Sequence, residues 1–409
     1  MNPNIQKIYN NIPGRIKRSW SFQKIKNLIL RKLYFSKTLK NIDIESISKD
    51  DIVLSFDHNK GGGSEKLSQD YINHIKKNCT VLQFRSYFGA FFEITIYKGE
   101  RSLKYQIKKI EDLILYFDRL KIKKIIINQL TGYYSHMELL QILISNVTQK
   151  DIFLEIHLHD FYYICPTLNL IDYKNNFCFA CLDTDYCRVC IKKNKIPSIA
   201  ESNIKFENIN IWRSAWGELL KLADNIVVYS DFTKEMYSNI FTINEKKIEK
   251  KKVLIENLRK VNYKQKNNIC LIIGVLGRID YKKGGKMLLE IAEIIDEKQI
   301  NAKILVFGTI ENNYLHNKMR FMGSYNQKDL PELMELYRVD IVLMPSICGE
   351  TYNLVVDEVM AMGMPIAVFN IGAPPERVKE YEKGLIINKI DANYCLEKIV
   401  EYVNDRNYI

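Results

Sequence analysis

The sequence predicts an α/β protein with two sheet-bearing domains. Three observations carry this. The chain has 409 residues, enough for two domains with a core each. Short apolar runs, such as 52–56 and 341–344, read as buried strands and alternate with segments of helical period. Glycines stand at strand-to-helix turns in both halves, at 61–63 and again at 277 and 284. Apolar content is 47%, ordinary for a globular chain. No run of 18 uncharged apolar residues occurs, so no membrane-spanning helix is expected. The start lacks an apolar core with a cleavage site, so no signal peptide is expected, and a cytoplasmic address with reduced cysteines follows.

The net charge of +12 is concentrated at the start. Residues 1–40 hold ten Lys and Arg and no acid, while the remainder is nearly balanced. Residues 14–36 place Trp20, Ile25, Leu28, Ile29, Leu33 and Tyr34 among lysines and arginines at roughly helical spacing. Such a segment suits peripheral contact with an anionic membrane, packing on the body, or a partner. The 1–49 extension is therefore read apart from the fold, and its charge argues against nucleic-acid binding by the body.

The first domain is expected over 50–258. Strand 52–56 runs into Gly61, Gly62 and Gly63, ahead of a helix near Ser64, which could cap it. Three residues without Cβ let backbone N–H groups reach an oxygen anion. Strands are expected near 79–86, 91–97, 102–107, 123–128, 152–157, 225–230 and 252–257. Helices are expected near 110–119, 136–147, 207–223 and 231–241. The strand at 152–157 ends in His157-Leu-His159-Asp160, and alternation puts both histidines on one face.

An insertion, 160–205, holds Cys165, Cys178, Cys181, Cys187 and Cys190. The pairs Cys178-x2-Cys181 and Cys187-x2-Cys190 predict a structural zinc site of four thiolates, with Cys165 a fifth candidate. Free thiols and a disulfide set are the alternatives.

A Lys- and Asn-rich linker is expected at 259–268 and a second domain at 269–390. Strand 269–276 leads to Arg278 and Lys283 at a turn into a helix, a fork and a point charge suited to a diphosphate. Strand 303–308 ends at Gly308. Strand 341–344 precedes Glu350, a helix holding Glu358 and stopped by Gly363 and Pro365, strand 366–369, and a Gly-Ala-Pro-Pro turn before Glu376. The glutamates are eight apart, about 12 Å of rise and roughly 80° of turn on an ideal helix, a spacing for gripping two parts of one long ligand. Residues 391–405 read as a final helix.

Glu350 and Glu358, with MPS before them and AMGMP and GAPPE after, resemble the E-x7-E motif of retaining nucleotide-sugar glycosyltransferases of the GT-B fold, glycosyl transferases group 1. The resemblance covers roughly 51–405. It implies two facing Rossmann-like domains about a cleft, with the 391–409 helix crossing back to the first domain. HDFYYICP and the cysteine group resemble a bacterial cell-surface polysaccharide branch. Where the family has Phe-Gly, this chain has Tyr352 and Asn353. The resemblance assigns Glu350, His159 and Asp160 to catalysis. It gives Arg278, Lys283, Asn353, Leu354, Glu358 and the 61–63 glycines to a nucleotide-diphosphate sugar. It also implies a glycan or lipid-linked acceptor. No Asp-x-Asp is evident, so no catalytic divalent cation is expected. Two other readings are a basic cysteine-knuckle protein that binds nucleic acid, and a sugar-nucleotide hydrolase or phosphorylase on the same scaffold.

Overall fold

Two runs of parallel strands, each with its own helices, organise the chain. The computed structural model describes residues 47, 50–58, 62–87, 91–107, 110, 112–133, 136–194, 208–253, 255, 258–262, 270–311 and 314–406. The basic segment at 14–36, Gly61, most of the linker and residues 195–205 of the insertion lie outside these. One unit holds the described residues up to Leu168 with Ala180–Val228 and Tyr237–Lys251; the other holds Asn169–Phe179, Tyr229–Met236 and the described residues from Lys252 on.

The first unit is built on an eight-stranded sheet of order β4-β3-β2-β1-β5-β6-β7-β8. The strands are β1 (Ile52–Asp57), β2 (Thr80–Tyr87), β3 (Phe91–Lys98), β4 (Arg101–Ile107), β5 (Ile122–Ile127), β6 (Phe153–His157), β7 (Asn225–Val228) and β8 (Ile248–Lys250). All pairings from β2 through β8 are parallel, and β3 and β4 add antiparallel strands at one edge. The helices are α1 (Gly63–Ile75), α2 (Asp112–Arg119), α3 (His136–Gln149), α4 (Thr184–Lys193) and α5 (Ile209–Leu222). Helix α6 (Asp231–Ser238) divides its residues between the units. Every residue of β1 is buried, as expected for a central parallel strand covered on both faces. The last strand is Ile248–Lys250, not the expected 252–257, of whose described residues none is in a strand. Only its first residue is even partly buried, so it lacks the apolar run that marks a central strand.

The second unit has a six-stranded parallel sheet of order β11-β10-β9-β12-β13-β14. Its strands are β9 (Leu271–Ile279), β10 (Ala302–Ile310), β11 (Met319–Gly323), β12 (Ile341–Met344), β13 (Ile366–Phe369) and β14 (Gly384–Ile387). Its helices are α7 (Gly285–Glu297), α8 (Leu330–Leu336), α9 (Leu354–Ala361), α10 (Pro374–Val378) and α11 (Ala392–Arg406). Alternation along the strands sorts two cores. Ile273, Ile304, Ile341 and Leu343 pack with Leu288 and Ile291 of α7 and Leu396 and Ile399 of α11. Leu305, Val342, Met344 and Val368 pack on the other face with Met334 of α8 and Val356 and Val359 of α9. In helix α11, Cys395, Leu396 and Ile399 fill the second unit's own core.

Among the described residues no helix is long and apolar enough to cross a membrane. In the first unit an aromatic cluster joins α5 to the loop after β6: Trp212 and Trp216 are fully buried, and the Trp212 Nε1 donates to the Tyr162 carbonyl at 2.8 Å. His136, the first residue of α3, packs edge-on to Trp212 with ring centres 4.9 Å apart. Burial pulls its imidazole down from 6.5 to about 4.

A histidine held neutral in the fold and free to protonate when unfolded stabilises the fold above its unfolded pKa. That contribution is lost as pH falls towards the folded value. Between about pH 7.5 and about pH 5 the loss from His136 is about 2 kcal/mol. Urea unfolding at the two pH values is expected to show it, and His136→Phe to shrink the difference by that amount. An unchanged pH dependence in the variant would show that another group is responsible.

Candidate functional site

In the second unit, the loops after β9 and β12 converge on one carboxylate. Asp280 Oδ1 accepts the Lys283 N–H at 3.1 Å, and Ile347 N–H donates to the Lys282 carbonyl at 3.0 Å, which fixes the two loops together. Lys283 Nζ donates to Glu350 Oε2. Ser346 Oγ and Asn353 Nδ2 both donate to Glu350 Oε1, the latter at 3.0 Å. The Glu350 carbonyl accepts the Ala373 N–H at 2.8 Å, so the turn after β13 holds the backbone while three side chains hold the carboxylate.

The pair is largely withdrawn from water: the side chains are 31% exposed for Lys283 and 10% for Glu350. Burial disfavours charge on both. The pair outweighs it, so Lys283 stays raised and Glu350 stays below the ordinary carboxylate value. Both are charged across the neutral range.

Asn353 takes φ 75°, in the region that favours glycine. Asparagine tolerates such a backbone, and its Oδ1 caps α9 by accepting the Val355 N–H at 3.1 Å. One carboxamide thus joins Glu350 to the start of α9, where Leu354 is the first helical residue. Glu358 is buried one turn further on and helps raise the Tyr325 phenol, whose burial is the larger cause. Arg278 stands exposed near the end of β9, outside this network. Ser346, the last residue of the MPS run before Glu350, was given no role by the sequence reading; its hydroxyl donates to Glu350.

In the first unit the predicted residues gather at the carboxyl ends of β1, β5 and β6. Gly62 has φ 93° and precedes α1 with no side-chain cap. Ser64 was expected to cap α1. It is instead bonded to His58 Nε2 at 2.9 Å and donates to Gln129 Oε1 at 3.2 Å, because the glycine turn brings it over the end of β5. Gln129 Nε2 donates to Asp160 Oδ2, and Thr131 Oγ1 donates to the same oxygen at 2.9 Å. Asp160 Oδ1 accepts the Tyr162 N–H at 2.8 Å. Asp160 Oδ2 thus joins the loop after β5 to the loop after β6, while its Oδ1 is bonded within its own loop. His157 and His159 share a face, with rings stacked 5.7 Å apart. Burial, then the neighbouring His157 and His58, push His159 well below its ordinary value, so it is neutral. His157 is bonded through Nε2 to Glu155 Oε1 at 2.8 Å, and Lys124 pairs with the other Glu155 oxygen at 3.1 Å.

The four-thiolate zinc site is not formed. Cys187 and Cys190 lie one turn apart on α4, both buried. Cys187 Sγ donates to the Cys181 carbonyl at 3.6 Å, and Cys181 Sγ to the Asp183 carbonyl at 3.7 Å. Cys190 Sγ accepts from Asn194 at 3.9 Å, and the Cys178 N–H is spent on the Leu170 carbonyl. No disulfide joins any of the nine cysteines, and among the described residues no three His, Cys, Asp or Glu side chains form a group that could hold a metal ion.

Residues 254–408 match the family Glycosyl transferases group 1. An uncharacterized 41.2 kDa protein in the cps region of Klebsiella pneumoniae is 28% identical over 170 residues, 40% of this chain and 44% of that protein. The capsular polysaccharide biosynthesis glycosyltransferase CapM of Staphylococcus aureus is 27% identical over 161 residues, 38% of this chain and 42% of that protein. The match thus spans less than half the length of either relative. Among solved structures, Anabaena Alr3699/HepE in complex with UDP-glucose is similar with a TM-score of 0.53 at 14% identity, over 87% of this chain and 90% of that one. The fold is GT-B, the α/β class that the sequence predicts.

Gly372 packs against the site with φ 78°, and a Cβ there would stand 2.5 Å from the Glu350 nitrogen. Gly372→Ala is expected to cost roughly 1–3 kcal/mol through both backbone strain and this clash, read by urea unfolding. Native stability in that variant would show that the turn yields without disturbing Glu350.

Proposed function

We propose, from the match of residues 254–408 to Glycosyl transferases group 1, that the chain moves a sugar from a nucleotide-diphosphate sugar to a glycan or lipid-linked acceptor, with retention at the anomeric carbon. The observation that carries this is the withdrawn Lys283–Glu350 pair, held by Ser346 and Asn353 at the carboxyl end of a parallel sheet, where such sheets bind ligands. The names of the two curated relatives, one from a cps region and one a capsular polysaccharide biosynthesis glycosyltransferase, favour a surface polysaccharide as the product's destination. The similar fold that was solved with UDP-glucose favours a nucleoside diphosphate donor.

The reaction breaks a bond between sugar and phosphate, and negative charge gathers on the departing diphosphate. Lys283 has three donors, of which the pair uses one, so it can stay on Glu350 while it also meets a phosphate oxygen. Arg278, exposed and unconstrained by Glu350, supplies a second cation that can swing to the same charge. Glu350, kept ionised by Lys283, accepts from sugar hydroxyls, and Glu358 from those of the ribose. Neutral His159 serves as a hydrogen-bonding group for the sugar. Asp160 sets the loop that bears it.

A thermal-shift panel of UDP-, GDP- and dTDP-sugars is expected to raise the melting temperature with one base family. Glu350→Gln and Lys283→Ala are each expected to cut transfer by about 100-fold or more, on the scale of losing one charge-stabilising group. Near-native turnover in both folded variants would overturn the assignment.

A further inference from the structure

Where the resembled family has Phe-Gly, this chain has Tyr352-Asn353, and one residue from a distant turn is bonded to both. Arg377, on α10, donates through one terminal nitrogen to the Tyr352 carbonyl at 2.6 Å and to the Asn353 carbonyl at 3.1 Å. Its guanidinium lies 4.0 Å over the Tyr352 ring. Its Nε faces Asp357 Oδ1 at 3.0 Å, and both side chains are mostly buried, at 18% and 15% exposed. The same turn holds the other end of the loop, where Ala373 N–H meets the Glu350 carbonyl at 2.8 Å.

We propose that Arg377 is a positioning residue for donor-sugar recognition: its fork, seated on Tyr352 and balanced by Asp357, holds Asn353 in its positive-φ turn so that the Asn353 carboxamide keeps Glu350 aimed. The proposal rests on the reading of Glu350 as the sugar-binding carboxylate. A glycine adopts φ 75° at no steric cost, whereas an asparagine, though tolerated there, is held in place more firmly by an outside restraint. Asparagine brings what glycine lacks, a donor to Glu350 and a cap for α9 in one side chain. Arginine suits the restraint because its planar guanidinium can stack on the ring while one terminal nitrogen meets both carbonyls and Nε faces Asp357, a set of directions that a lysine ammonium does not cover at once.

The test separates sugar recognition from general stability. Dissociation constants are measured for UDP-glucose, GDP-mannose and dTDP-glucose and for UDP, GDP and dTDP, on the native chain, Arg377→Ala, Arg377→Lys and Glu350→Gln. For the base that the native chain binds, the nucleotide sugar is expected to bind more tightly than its nucleoside diphosphate. Arg377→Ala is expected to lose at least tenfold in sugar-nucleotide affinity while the nucleoside diphosphate stays within threefold, and Arg377→Lys to recover less than half of the loss. Equal weakening of both ligands, or full recovery with lysine, overturns the positioning role. If Glu350→Gln abolishes the sugar's increment and Arg377→Ala leaves it intact, only this inference fails. If Glu350→Gln also leaves it intact, or the native chain binds none of the six, the reading of Glu350 fails and takes the inference with it.

Discussion

The ion pair between Lys283 and Glu350 is the constraint on which the second unit's site depends. Two opposite charges, separated by 67 residues, sit where water is largely excluded. Each alone would be costly there, and either one left without the other would be more costly than the pair is favourable. The pair persists because Glu350 is given further donors from Ser346 and Asn353, which replace the water it has lost. It also demands accuracy from the backbone. The Lys282–Ile347 bond, the Ala373–Glu350 bond and the close packing of Gly372 all act on the loops that present the two charges. The sheet beneath, packed on both faces, is the stiff platform that makes such placement lasting.

Much of this was legible because the chemistry is local in sequence. Glu350, the helix start at Leu354 and the stop at Gly363 lie within one strand-loop-helix stretch, and the apolar runs on either side have the lengths of buried strands. Lys283 was legible from a strand-to-helix turn. What was not legible was which side chains would meet. Ser346 gives no periodic signal, and Arg377 looks like any charge in a last turn until the fold brings it under Tyr352. The departure from Phe-Gly was visible, but its consequence was not: a positive φ at Asn353, with the side chain put to two uses, is a property of three-dimensional packing.

The cysteines show the opposite failure, a pattern that spacing overstates. A C-x2-C pair makes a metal knuckle when it sits in a turn that points both thiols outwards. On α4 the same spacing places Cys187 and Cys190 one helical turn apart on a buried face, with their polar needs met by a backbone carbonyl and an amide. The short elements α10, β14 and β8 were missed for a related reason. Runs of three to five residues hold too few periods for hydrophobic alternation to be read, and β8 is an edge with little apolar burial.

The two units also divide their charge differently. In the first, the polar groups predicted for the site are neutral or spent internally: desolvation strips His159 of its proton, and Asp160 has both oxygens bonded to the loops after β5 and β6. In the second, Lys283 and Glu350 are kept ionised against burial. Maintaining charge out of water is unfavourable for folding, and a fold needing only a packed core would do as well with apolar residues there. Ionised groups held in a dry, preorganised setting interact strongly with charge that develops beside them. Glycosyl transfer from a diphosphate develops charge on the donor, not on an alcohol acceptor. The Lys283–Glu350 pair, in the unit matching Glycosyl transferases group 1, is the held charge that the proposed reaction would use.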